Sequence, residues 1–201
     1  YGDWSSDVCS SDLVFRGVFE AASDVVGGAL SAAEAMMFGR VRRAFVPIAG
    51  LHHAGRRGAA GFCALNDCGV VIEWLRATRG LERIAYVDID AHHGDGVQAA
   101  FYDDERVLTI SLHESGRTLF PGTGFPDERG TGAGAGYSIN VPLPMQTDDE
   151  GYVRAFDAVV PELLARYRPD ILVTQHGIDP HFDDPLTHLL LSTRAREHVV
   201  R

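Results

Sequence analysis

The sequence predicts an α/β fold, an open and mostly parallel sheet with helices on both faces. Three observations lead there. Short apolar runs at 84–87, 107–112, 137–141 and 171–174 read as strands. Longer stretches with apolar residues three and four apart, at 18–38, 65–79, 96–102 and 149–167, read as helices. Strands alternating with helices in this way build βαβ units, whose right-handed crossovers give a parallel sheet. In such sheets ligands bind beyond the carboxyl ends of the strands.

Each element has its own signal. In 18–38, Phe19, Ala22, Val26, Ala29, Ala33 and Met36 form one apolar stripe, which Gly27 and Gly28 weaken. Ala44–Ile48 predicts a short strand that Pro47 ends or confines to an edge. Over 65–79, Val70, Val71, Trp74 and Leu75 are the expected packed side. The run 84–87 is apolar throughout and 107–112 is so except at Thr109 and Ser111, as strands buried on both faces tend to be. The loop 113–136 is rich in Gly and Pro, and loops of that length are usually functional. The helix 149–167 is expected to bend or break at Pro161, and the last residues to Arg201 read as part of a helix. No internal repeat or linker is visible.

Composition narrows the function. The net charge is −10, and all 18 basic residues are arginine. A chain this acidic has no overall field for nucleic acid or an anionic membrane. Three cysteines, at 9, 63 and 68, make no disulfide framework and favour a reducing compartment. No apolar run reaches the roughly 18 residues of a membrane span. Residues 4–13, WSSDVCSSDL, resemble translated sequencing adapter, so 1–13 are expected to be non-native. Setting aside Asp3, Asp7 and Asp12 reduces the charge from −10 to −7.

The chemistry concentrates after the strands. Six of the nine histidines, His52, His53, His92, His93, His113 and His176, follow predicted strands, and acidic residues share those loops. In Asp88-Ile89-Asp90-Ala91-His92, residues two apart point to one side of an extended chain. Asp88, Asp90 and His92 therefore converge as the strand ends. Two carboxylates and an imidazole there call for a cation, and a mixed N and O set suits zinc. A third ligand is open among Asp179, His176, Asp183 and Asp184, with Asp179 preferred. The tandem His52-His53 supplies a general base and acid if each ring has a carboxylate on its far nitrogen, and Asp88 and Asp95 are available. Phe62 and Phe120 fit either an apolar channel or the core. Cys63 and Cys68 match no zinc-finger spacing and read as small buried side chains.

Together these segments resemble one family. GLHHA at 50–54, GFCALND at 61–67, YVDIDAHHGDGVQ at 86–98, SLHE at 111–114, FPGTG at 120–124 and HGIDPHFDDPLTHL at 176–189 are similar to the metal-dependent histone deacetylases, with the arginase–deacetylase fold. The variants look closest to the bacterial acetoin-utilisation, AcuC-type branch. The likeness runs from about Val14 to Leu189, which makes 14–201 part of a deacetylase catalytic domain.

The resemblance implies roles for the residues that match. Asp90, His92 and Asp179 hold the catalytic Zn2+, or Fe2+, which the same ligands suit. His53 is the general base and acid, and His52 its electrostatic partner. Asp88 orients His52 and Asp95 orients His53. Gly61, Phe62 and Phe120 belong to the channel that admits acetyl-lysine. Asp88 and Ser111, with main-chain oxygens of Asp90, His92 and Leu112, hold a structural K+. The implied reaction is NAD-independent hydrolysis of the acetyl amide, in a bacterial cytoplasm, on acetylated lysine in protein or peptide or on a small acetylated amine.

Three other readings compete. An arginase-like ureohydrolase uses two bridged metals, an acetylpolyamine amidohydrolase uses the same chemistry on a smaller substrate, and a non-catalytic binding module keeps the pocket without the chemistry. In the family a Tyr in a downstream Gly-rich loop donates to the developing oxyanion, and none of the six tyrosines here lies in such a loop. The 201-residue chain by itself is therefore expected to be a C-terminally truncated fragment, nearly inactive and poorly soluble, while its full-length parent is active.

Overall fold

The computed structural model describes residues 15–201, so the segment expected to be non-native lies outside the described residues. The described chain divides into two compact units, interleaved in sequence. One comprises residues up to 82 together with 95–100, and the other 83–94 with 101–201. The chain leaves the first unit at Arg83, returns to it at Asp95 and leaves it again at Phe101.

The first unit holds α1 (Val18–Met37), α2 (Asp67–Arg79) and α3 (Asp95–Ala100). Helix α1 buries Ala22, Ala29 and Ala33, small residues that let α2 pack close. Phe19, at the head of the expected stripe, is instead 67% exposed. In α2 the buried set is Cys68, Val71, Ile72 and Leu75, spaced three and four apart, and Val70 faces outward. Asn66 fixes that phase by accepting the Gly69 N–H as the helix N-cap. The expected strand at 44–48 does not form. Phe45 is 75% exposed, so the run has no buried face, and Pro47 lacks a ladder donor.

The second unit holds the sheet: β1 (Ile84–Asp88), β2 (Val107–Glu114), β3 (Ser138–Leu143) and β4 (Ile171–Gln175). Every pairing is parallel and the order is β3-β2-β1-β4. All residues of β1 and β2 are buried, as their mostly apolar runs lead one to expect. Helix α4 (Asp149–Tyr167) packs on the sheet and α5 (Thr193–Val199) packs on α4. Their shared core includes Ile110, Leu112, Tyr152, Val160 and Leu191. Burying each such side chain stabilises the fold by about 1.5–3 kcal/mol. Asp148 is the N-cap of α4, its side chain accepting the Gly151 N–H, and the helix runs through Pro161 without the expected break. The final helix ends at Val199, short of the chain's last residue. Among the described residues no helix is long and apolar enough to cross a membrane.

Strand order locates the site. From β1 the chain moves outward through β2 to β3, then returns to pair β4 with the other edge of β1. The order reverses between β1 and β4, and beyond the carboxyl ends of such neighbours an open α/β sheet forms its crevice.

Candidate metal centre and histidine loop

The crevice beyond β1 and β4 holds Asp90, His92 and Asp179, whose ligand atoms lie within 4.8 Å of one another. His92 Nδ1 is 3.1 Å from Asp90 Oδ1 and 2.6 Å from Asp179 Oδ2. Tetrahedral zinc bonds of about 2.0–2.2 Å place ligand atoms roughly 3.3 Å apart, so the side chains already stand near that spacing.

The neighbours hold this arrangement. Asp90 Oδ1 accepts the His92 backbone N–H at 2.7 Å, and Asp90 Oδ2 accepts from Gln175 Nε2 at 3.0 Å. Asp179 Oδ1 accepts the Ala91 N–H at 2.9 Å. Gly177 leaves room for the carboxylate, because a Cβ there would lie 1.8 Å from Asp90 Oδ2.

Electrostatics test the fit. Burial by itself would lower the His92 pKa, but hydrogen bonds and charge from Asp179 and Asp90 outweigh it and raise it to about 10. Burial pushes the Asp179 carboxyl upward, against the His92 hydrogen bond. Both directions have one cause: two buried carboxylates short of positive charge, with a proton where a cation belongs. The donors therefore fit a divalent ion of the zinc type.

A pH dependence follows. Metal uptake must displace the His92 proton, so apparent Zn2+ affinity is expected to rise about tenfold per pH unit between roughly pH 7 and 9. Calorimetric titration across that range checks it, and a flat profile contradicts it. For folding without metal, the raised pKa contributes stability that is complete below the ordinary value of 6.5 and lost as pH rises through about 10.

Asp88 ends β1, two residues before Asp90. It is fully buried, its carboxylate accepting from the Tyr86 hydroxyl at 2.6 Å and the Asp90 N–H at 3.1 Å. Ser111 is its register partner on β2, two residues before His113. His113 Nε2 donates to the Gly124 carbonyl at 2.9 Å, so its Nδ1 accepts from the Ser111 hydroxyl at 2.8 Å. Burial, then the charge of His93, pushes the His113 pKa down to about 4 and keeps the ring neutral. Leu112 is buried between them in β2. The Phe120 ring lies 6.4 Å from that of His92.

The other candidate ligands are elsewhere. His176 bonds to Thr174 and lines an apolar cavity with Leu172 and Val199. Asp184 caps the Leu186 N–H, and the Asp183 N–H donates to His181, both within a local turn.

The tandem histidines belong to the first unit and, with no strand at 44–48, do not sit at a strand end. Helix α2 holds their loop instead. Asp67 accepts the Gly50 and Leu51 N–H groups, and Asn66 Nδ2 donates to the His52 and Ala54 carbonyls. His52 and His53 are both buried, with ring centroids 4.0 Å apart. His53 Nδ1 lies 2.7 Å from Asp95 Oδ1. A carboxylate oxygen accepts, so Nδ1 carries the hydrogen, and in the neutral ring Nε2 keeps its lone pair. Gly61 packs on this ring, where a Cβ would come 2.3 Å from Cδ2. Phe62 is 63% exposed with φ of 63°, so it is not a core residue. Cys63 and Cys68 are buried, and the Cys63 sulfur accepts the His53 N–H.

Sequence reasoning missed Gln175 and Gly177. The signal was present: Gln175, Gly177 and Asp179 alternate beyond β4 as Asp88, Asp90 and His92 do beyond β1. It also missed Asn66 and Asp67, which act through backbone groups.

Comparison with known proteins places the chain in one family. The family model for the histone deacetylase domain matches residues 3–201. The chain is 46% identical over 188 residues to the acetoin utilization protein AcuC of Bacillus subtilis strain 168, covering 94% of this chain and 48% of that one. It is 44% identical over 186 residues to a probable deacetylase of Archaeoglobus fulgidus, covering 92% and 51%. An HDAC homolog from Aquifex aeolicus superposes with a TM-score of 0.87 at 39% identity, over 92% of this chain and 50% of that one. An HDAC homolog complexed with SAHA gives 0.85 at 39% identity, over 90% and 49%. The chain thus spans about half the length of the curated relatives it matches.

Proposed function

Because the chain belongs to the histone deacetylase family and shares its arginase–deacetylase fold, we propose that it carries metal-binding and proton-transfer residues of an acetyl-lysine amide hydrolase. The observation that carries this reading is the convergence of Asp90, His92 and Asp179 at the reversal of strand order. A divalent ion held there, Zn2+ or Fe2+, supplies Lewis acidity toward the acetyl carbonyl.

The remaining steps belong to the chain's own side chains. Nε2 of His53 takes a proton from the attacking water, while Asp95 on Nδ1 fixes the tautomer and stabilises the imidazolium. The same nitrogen then delivers that proton to the leaving lysine amine, and acetate is released. His52, beside His53, tunes this proton transfer electrostatically. Phe120 offers an apolar wall near His92 for the lysine methylenes. Asp88 and Ser111, with carbonyls of Asp90, His92 and Leu112, are the donors for a structural K+. The substrate is acetylated lysine in protein or peptide, or a small acetylated amine, and the compartment is the cytoplasm.

Acetate release from an acetyl-lysine peptide, measured on the zinc-supplemented chain, tests the reading. Release above background that EDTA stops is the expected result. Urea release from arginine in its place, or acetate release that EDTA leaves unchanged, would overturn it; the rate itself is expected to lie far below that of a complete enzyme, since no tyrosine here lies in a downstream Gly-rich loop.

A further inference from the structure

One fully buried carboxylate takes no part in the chemistry above. Glu114 ends β2, and its side chain has no exposed surface. Its Oε1 accepts from the Thr118 hydroxyl at 2.8 Å and from His188 Nδ1 at 3.0 Å. Its Oε2 accepts the His188 backbone N–H at 2.8 Å. Two of these three donors come from one residue, 74 positions along the chain. A carboxylate so held is a junction between segments, since buried charge-assisted bonds fix geometry tightly.

The segments it joins are those that bear the ligands. The Glu114 N–H donates to the Ala91 carbonyl at 2.8 Å, and Ala91 sits between Asp90 and His92. On the other side His188 follows Thr187, whose hydroxyl donates to the Asp179 carbonyl at 2.7 Å. The ring closes through the Ala91 N–H, which donates to the Asp179 carboxylate at 2.9 Å. Each contact runs from the turn after β1, through Glu114, to the loop that carries Asp179, and back.

We propose that Glu114 and His188 are positioning residues for the metal centre: their junction sets the distance between the Asp90–His92 turn and Asp179. The inference rests on the reading of Asp90, His92 and Asp179 as metal ligands. Neither residue touches the ion or the substrate. An apolar side chain could fill the same volume, but it could not grip both the backbone and the ring of His188.

The test compares wild type with His188→Ala, His188→Asn and Glu114→Gln. Zn2+ affinity is read by competition with a chromophoric chelator, and ligand geometry by the visible absorption of the Co2+ form. Thermal unfolding in EDTA reports any purely structural effect. The His188 side chain is 49% exposed, so its truncation leaves the fold in place. His188→Ala is expected to weaken Zn2+ binding about 10–100-fold and to alter the Co2+ spectrum, as loss of an outer partner does. His188→Asn, whose amide N–H replaces Nδ1–H, is expected to restore most of both. Glu114→Gln is expected to behave like His188→Ala. Affinities within about twofold of wild type with an unchanged Co2+ spectrum in both His188→Ala and Glu114→Gln would overturn the proposal, even with lowered unfolding temperatures. A wild-type chain that takes up neither ion overturns the metal reading itself, and this inference with it.

Discussion

Asp179→Ala is expected to leave the chain without stoichiometric zinc and without zinc-dependent turnover. Asp179 Oδ2 stands 2.6 Å from His92 Nδ1, and no other carboxylate of its loop reaches the cluster among the described residues. Removing it leaves one carboxylate and one imidazole. Loss of an outer partner already costs metal affinity 10–100-fold, so loss of a ligand should cost more than about 100-fold. Asp179→Asn separates charge from scaffolding, because the amide oxygen still accepts the Ala91 N–H. It should keep the fold near wild-type stability and still lose the metal. Elemental analysis after dialysis is the measurement. One equivalent of zinc retained by both variants would remove Asp179 from the ligand set.

His53→Ala should show the opposite pattern, with zinc content unchanged and acetate release lowered about 10²–10⁴-fold, the usual contribution of a general acid–base group. The loop around His53 is held by Asn66 and Asp67 through backbone atoms, so truncating the imidazole leaves its scaffold intact. Gly61 packs on the ring face and Asp95 holds Nδ1, so the histidine has one orientation to lose. Zinc analysis and acetate assay on the same preparation separate the two effects. Turnover equal to wild type would withdraw the proton-transfer role.

The sheet was readable because its strands are short, mostly apolar runs, buried on both faces in β1 and β2. The acidic and imidazole cluster after β1 was readable because alternation places Asp88, Asp90 and His92 on one side as the strand ends. Asp179 took more: the residues alone left His176, Asp183 and Asp184 as rivals, and family resemblance chose among them. Geometry then separates them, since His176 faces an apolar cavity and the two aspartates serve a local turn.

The failures have physical causes too. Ala44–Ile48 has strand composition, but a strand needs an edge to pair with and a face to bury, and Phe45 is exposed. Pro161 does not stop α4, whose packed face carries Val160 into the core; tertiary packing outweighs the lost hydrogen bond. Glu114 gave no signal, because its partner is far away in sequence and a single Glu at a strand end reads as solvated. Asn66 and Asp67 stand in the GFCALND segment, yet their side chains act on backbone groups of the 50–54 loop, which composition does not reveal.

The central claim is one metal ion held by Asp90, His92 and Asp179. Anomalous diffraction at the zinc edge, from crystals of the chain grown with Zn2+, tests it most directly. A single strong peak bounded by His92 Nδ1 and the two carboxylates is expected. A pair of peaks bridged by aspartates, or a peak away from these three residues, would contradict it.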